Sequence, residues 1–192
     1  MTIPSMEVNR VYRTRELRAF TANPTRWAKR LVAQGVLQQA AHGLYYLPRM
    51  SRWGPSSPDT LELLRAFLGD DDFLITGSLI WNALDLGITG MLAVELVYTP
   101  HRTGEFPLNG RRYWMRRVSF PRPAPLEWFV VDAFRNYKMV GADPNLMEKL
   151  LTRHLQTGRF DAGILGQMAV RYGDAVSRER IFRALAAVPK AA

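Results

Sequence analysis

Apolar positions recur at helical spacing in some stretches of this chain and alternate in others, with turn residues between them. The run "NPTRWAKRLVAQGVLQQAAHGLYYLP" (23–48) shows both patterns. Asn23 suits an N-cap, and Pro24 suits the first helical position, where its missing N–H costs nothing. The pattern predicts a helix from Pro24 to about Gln34, ended by Gly35. Trp27, Leu31 and Val32 form its inward stripe, and Arg26, Lys29, Arg30 and Ala33 its opposite face. Upstream, "YRTRELRAF" reads as another helix, with Thr14 as N-cap and Leu17 and Phe20 on one face; "TAN" is then a short turn. Downstream, "VLQQA" and "GLYYLP" read as two strands around "AHG", where Gly43 allows a tight turn.

Past "SRWGPSSPDTLELL", residues 54–58 read as a linker. A helix then starts at Asp59 or Thr60, with Leu61, Leu64, Phe67 and Leu68 on one face. "FLIT" is a short strand. "SLIWNALDLG" is a helix capped by Ser78 and ended by Gly87. "AVELVYTP" is strand-like, and "EFPLNGRRYWMRRVSF" is a hairpin turning at Asn109-Gly110. "PLEWFVVDAFRNYKMV" is a helix, and the tail (about 143–188) reads as three more. The expected fold class is α+β, with two domains. Residues 1–53 form a helix-turn-helix with a hairpin wing. Residues 54–192 form a mixed α+β module with a small antiparallel sheet and a C-terminal helical bundle.

Charge gives the first module a direction. The chain of 192 residues carries a net +9. Residues 1–57 hold 9 Lys/Arg against 2 Asp/Glu, or +7; residues 58–125 hold 7 against 8, or −1; residues 126–192 hold 10 against 7, or +3. A phosphate polyanion is the natural partner of such an amino-terminal segment. In a winged-helix reading, Thr25, Arg26, Lys29 and Arg30 enter the DNA major groove, while Arg13, Arg15 and His42 contact the backbone. A solvated basic surface, or a module whose basic face meets an acidic protein, remains the alternative. No apolar run reaches the roughly 18 residues of a membrane helix, and the start "MTIPSMEVNR" has no secretion-type apolar core. The absence of cysteine excludes disulfides and thiolate chemistry and suits a cytoplasmic protein.

The motifs of catalysis are incomplete. "LITGS" resembles the phosphate-holding turn of nucleotidyltransferases, but the paired carboxylates that two-metal chemistry requires are missing. Asp85 is expected on a helix, and Glu95 stands alone on a strand. His42, His101 and His154 have no metal-ligand spacing, and "DDD" (70–72) reads as a solvated turn. No catalytic residue, metal or cofactor is therefore assigned, and an enzyme acting on nucleic acid through residues 77–117 is the second reading. "RRYWMRR" (111–117) interleaves bases with aromatics. Arg111, Arg112, Arg116 and Arg117 are a second basic patch, either nucleic-acid-binding or guarding an edge strand.

Two stretches also resemble a family. "RLVAQGVLQQAAHGLYYLP" is similar to the amino-terminal winged helix of AbiEi-type antitoxins, with a leucine-containing helix, a glycine, a strand, a "G-[LIV]-Y" strand and a proline. "DDFLITGSLIWNALDLGIT" resembles the opening of their second domain. The start is shorter than the family's, since ten residues precede "VYRTREL". The resemblance implies a non-enzymatic cytoplasmic regulator of a type IV toxin–antitoxin system. Such a protein represses its own operon at double-stranded DNA, commonly at inverted repeats. It counters a nucleotidyltransferase-like toxin, without a stable complex being required.

Overall fold

The computed structural model describes residues 6–188. In chain order the elements are β1 (Val11–Arg13), a 3-10 turn (Glu16–Ala19), α1 (Pro24–Ala33), β2 (Gln38–Ala41), β3 (Leu44–Tyr46), β4 (Met50–Ser51), β5 (Gly54–Pro55), α2 (Thr60–Leu68), β6 (Leu74–Thr76), α3 (Ser78–Ala83), β7 (Glu95–Tyr98), β8 (Gly104–Leu108), β9 (Arg111–Arg116), α4 (Leu126–Asn136), a 3-10 turn (Tyr137–Val140), α5 (Pro144–Gln156), α6 (Ala162–Tyr172) and α7 (Ala175–Ala186). The fold is mixed α+β with small antiparallel sheets. No helix among the described residues is long and apolar enough to cross a membrane.

The contacts divide the chain into two compact units, 1–73 with 105–113, and 74–104 with 114–192. This differs from the boundary expected at 53–54. α2 belongs with the first unit because Arg13 on β1 reaches its last turn. The Nε of Arg13 donates to the Ala66 carbonyl (2.5 Å) and its Nη2 to that of Phe67 (3.1 Å).

In the first unit, β3 is the centre of a three-stranded sheet in the order β1-β3-β2. Val11, Tyr12 and Arg13 stand opposite Tyr46, Tyr45 and Leu44. The helix expected over "YRTRELRAF" is thus a strand followed by a 3-10 turn. Thr14 caps nothing; its hydroxyl donates to the Gly43 carbonyl (3.2 Å). Three consecutive residues pairing with a distant strand override a weak local helical preference. Leu17, Ala28, Leu31, Leu37, Tyr12 and Tyr45 form the core, with Phe20 and Trp27 packed against it. The "linker" is structured in part: Met50 and Ser51 pair with Pro55 and Gly54. Asp59 caps α2, accepting from the Leu61 and Glu62 N–H groups. Leu63 and Leu64 are the buried leucines there, and Leu61 is exposed.

The second unit begins at β6, which pairs antiparallel with β7. β7 is covered on both faces: Leu96, Val97, Tyr98 and Thr99 are all buried. The sheet order is β6-β7-β9-β8, and of its strands β8 from Glu105 and β9 as far as Tyr113 are counted in the first unit. β9 is therefore an inner strand and not the edge considered above. The turn between β8 and β9 has Asn109 at φ 49° and Gly110 at φ 76°, the left-handed pair a two-residue hairpin loop needs. Ser78 is not the cap of α3. Gly77 holds that position, and the Ser78 hydroxyl accepts from the Leu92 N–H (3.0 Å). Gly90 lies where a Cβ would come within 2.1 Å of the Val140 carbonyl oxygen, so the loop after α3 approaches the turn after α4 as only glycine can. Asp143, Asp161 and Asp174 cap α5, α6 and α7, and these helices pack with α4 around Trp128, Phe134, Met147, Leu151, Leu165 and Ile181.

Candidate nucleic-acid interface

α1 starts where the sequence expects. The Asn23 carboxamide oxygen accepts from the Arg26 N–H (3.2 Å), and Pro24 occupies the first turn. Ala28 and Leu31 are buried, whereas Trp27 and Val32 are half-buried. Trp27 stacks on Phe20 with centroids 6.3 Å apart. That leaves Thr25, Arg26, Lys29 and Arg30 all exposed on the outer face. Among the described residues none of these three cations is ion-paired, and the first turn of α1 holds no acid. The positive end of the helix dipole, beside Thr25 and Arg26, therefore has no acid in the first turn to compensate it. Chemically this is a short cationic ridge with one hydroxyl, suited to phosphate and base-edge acceptors.

His42 is exposed at the β2–β3 turn, and Arg15 is exposed ahead of the 3-10 turn. Arg13 departs from its expected role. Its guanidinium is turned inward onto the Ala66 and Phe67 carbonyls in the last turn of α2, where a cation is favoured. A side chain so engaged is unavailable for phosphate. We expect Arg13→Ala to lower the stability of the first unit by about 1–2 kcal/mol, in line with charge-assisted hydrogen bonds, in a urea titration. The salt dependence of any DNA binding should stay as in the wild type.

The residues of the second basic patch are divided between the two units. Arg111 and Arg112 fall in the first unit, Arg116 and Arg117 in the second. Along β9, Tyr113 and Met115 are buried, so the strand face shared by Arg111 and Arg117 is core at its centre. Arg112 stands 3.8 Å from Glu105. Arg116 donates to the Asn136 carboxamide oxygen (3.0 Å) and lies over the Trp114 ring. Arg117 donates to the His101 carbonyl (3.1 Å).

The second unit contains a polar centre that the sequence does not announce. Asp132 is 1% exposed inside α4. One carboxylate oxygen accepts from the Tyr98 hydroxyl (2.7 Å) and the Asn136 amide (2.9 Å), the other from the Thr76 hydroxyl (2.6 Å) and the Trp81 indole (3.0 Å). Burial raises its pKa above the usual carboxylate value, against the pull of these donors. Burial, and then the Asp132 charge, raises that of Tyr98. The group is enclosed and fully hydrogen-bonded, which suits structure better than turnover. The only sequence signal is one acid in the otherwise apolar "FVVDAF".

The residues weighed for phosphoryl chemistry have other roles. Asp85 lies past the end of α3 at φ 60°, not on the helix. Arg159 donates to its carboxylate (3.3 Å) and to the Ala83 carbonyl (3.0 Å). His154 Nε2 lies 2.9 Å from the Asp85 carbonyl oxygen. These contacts tie α5 and the segment after it to the end of α3. Among the described residues no group of three or more His, Asp or Glu is arranged to hold a metal ion.

No family model and no curated protein matches this chain. Among solved structures, the chain is similar to the crystal structure of the RV2827C protein from Mycobacterium tuberculosis. The TM-score is 0.55 at 15% sequence identity, over 92% of this chain and 71% of that one. The likeness is one of fold.

Proposed function

We propose that this protein is a DNA-binding transcriptional regulator whose first unit works as a winged helix. In this reading α1 is the recognition helix and β2–β3 is the wing, with His42 at its tip. The helix expected over "YRTRELRAF" is β1 and a 3-10 turn instead, and the helix linked to β1 is α2, which follows the wing. One observation carries the proposal: a capped helix presents Thr25, Arg26, Lys29 and Arg30 to solvent with no carboxylate paired to the cations among the described residues. Cations left unneutralised in a row release counterions when a phosphate backbone meets them. The resemblance to AbiEi-type antitoxins extends the proposal. The protein represses its own operon, is not an enzyme, and counters a nucleotidyltransferase-like toxin.

The test is fluorescence anisotropy on the duplex upstream of its own gene, against a scrambled duplex of equal length, at several salt concentrations. Tight binding to the upstream duplex alone is expected; equal weak binding to both would reject the regulator. For the antitoxin, co-expression with a nucleotidyltransferase-like protein encoded alongside should restore growth. Persistent toxicity would remove that part of the proposal and leave the DNA part standing.

A further inference from the structure

From Leu17 to Pro58 the chain holds no acidic residue, yet it holds Arg18, Arg26, Lys29, Arg30, Arg49 and Arg52. The α1 face uses three of these cations. The last two belong to the β4–β5 hairpin, Arg49 at its base and Arg52 at its tip, where Trp53 follows. Trp53 is 84% exposed and Met50 69%. An indole left in water forgoes a large burial, so this one stands where a partner would bury it.

The hairpin is built, not trailing. Its base is fastened through Asn9. The Asn9 carboxamide oxygen accepts from the Arg49 N–H (3.0 Å) and the Ser56 hydroxyl (3.1 Å), while the Asn9 N–H donates to the Leu47 carbonyl (2.7 Å). The Ser56 N–H closes back on the Arg49 carbonyl (2.9 Å). At the tip the Ser51 hydroxyl accepts from the Trp53 N–H (3.1 Å) and donates to the Gly54 carbonyl (2.9 Å). The Arg52 guanidinium lies 4.9 Å from the centre of the indole. The tip therefore presents an aromatic ring with one guanidinium beside it, and Arg49 is exposed at the base of the same hairpin.

We propose that this hairpin is a second DNA-contacting element, resting on the DNA-binding reading of α1. Arg49 and Arg52 contact phosphates, and Trp53 packs on deoxyribose and base edges at the duplex surface. A membrane surface would also attract cations and tryptophan. It would need a broad apolar face, and this tip offers only Met50 and Trp53 among Ser, Gly, Pro and Arg. The acid-free run shared with α1 favours one polyanion that meets both elements.

The test uses the full chain on the upstream duplex, by anisotropy over a salt series, with Trp53→Ala, the Arg49→Ala/Arg52→Ala pair and the Arg26→Ala/Arg30→Ala pair. Thermal midpoints of the hairpin variants should match the wild type, since the substituted side chains are exposed and the anchor uses only the Arg49 backbone. Trp53→Ala is expected to weaken binding about ten-fold at fixed salt, the scale of one aromatic–nucleotide contact, with little change in salt slope. The arginine pair should reduce the slope by about 1.8, at 0.9 per phosphate contact. In the wild type, the duplex should shield from iodide an emission component that Trp53→Ala lacks. Hairpin variants with wild-type affinity and slope, beside an α1 pair that fails to bind, would overturn this inference and leave the α1 reading intact. Failure of the wild type on every duplex would overturn both. Trp53-dependent binding to phosphatidylserine vesicles, with duplex affinity unchanged by Trp53→Ala, would reassign the tip to membranes.

Discussion

Asp132→Leu is expected to cost about 4 kcal/mol of folding stability, a large share of what a domain usually has. The substitution keeps the branched shape and the number of side-chain heavy atoms, slightly enlarged, and removes the single acceptor on which four donors converge. The Asn136 amide retains the Asp132 backbone carbonyl at 2.8 Å, but the Trp81 indole, the Tyr98 hydroxyl and the Thr76 hydroxyl lose their partner in a buried site. Each orphaned group costs about 1–3 kcal/mol, offset in part because no charge is then buried. Asp132→Asn should fall between. Its oxygen still accepts from two groups, Thr76 can reverse its hydroxyl, and the Trp81 N–H is left facing an N–H, so about 2 kcal/mol is expected. Urea unfolding orders the three proteins, and a leucine variant as stable as the wild type would refute the account. The pH dependence provides a second readout. The native carboxyl has a raised pKa, so the native state binds this proton more tightly than the unfolded chain does. The associated stability is complete below the ordinary aspartate value and is lost as pH rises through the native one. Both variants should lack that component.

The same centre marks what one sequence can and cannot convey. Its donors come from β6, α3, β7 and α4, and no local pattern joins Thr76 to Asp132. The legible features were local. Asn23 before Pro24 set the start of α1, Asn109-Gly110 set a hairpin, and helical spacing set the three final helices. Most of the illegible ones depended on distant partners. Val11–Arg13 became a strand because Leu44–Tyr46 stands opposite, and Arg13 turned inward because the end of α2 lies beside it. Gly54 and Pro55 read as linker residues, yet they pair with a segment only three residues upstream. For the candidate interface, the exposed face of α1 was readable because one short amphipathic helix encodes it. The basic patch on β9 was not, because alternation alone cannot say that Tyr113 and Met115 face a core.

Arg26→Ala combined with Arg30→Ala should remove specific DNA binding while leaving the fold intact. Both guanidinium groups are exposed, and the cap of α1 uses the Arg26 backbone N–H, not its side chain. Unfolding should therefore match the wild type, which separates a lost contact from a lost fold. If each arginine reads a base, each substitution costs about 1–3 kcal/mol on the upstream duplex, or together about 30-fold to 2 × 10⁴-fold in affinity. The scrambled duplex should lose much less. If they meet only phosphates, both duplexes weaken together and the salt slope falls by about 1.8. Lys29→Ala supplies the internal scale, because an ammonium is a point charge without the planar fork that reads guanine. It should lower the slope by about 0.9 on either duplex with little effect on the ratio between them. A double arginine variant with unchanged affinity on the upstream duplex would remove α1 as the recognition element. The cationic ridge would then be a solvated face, despite its cap, its exposure and its lack of paired acids.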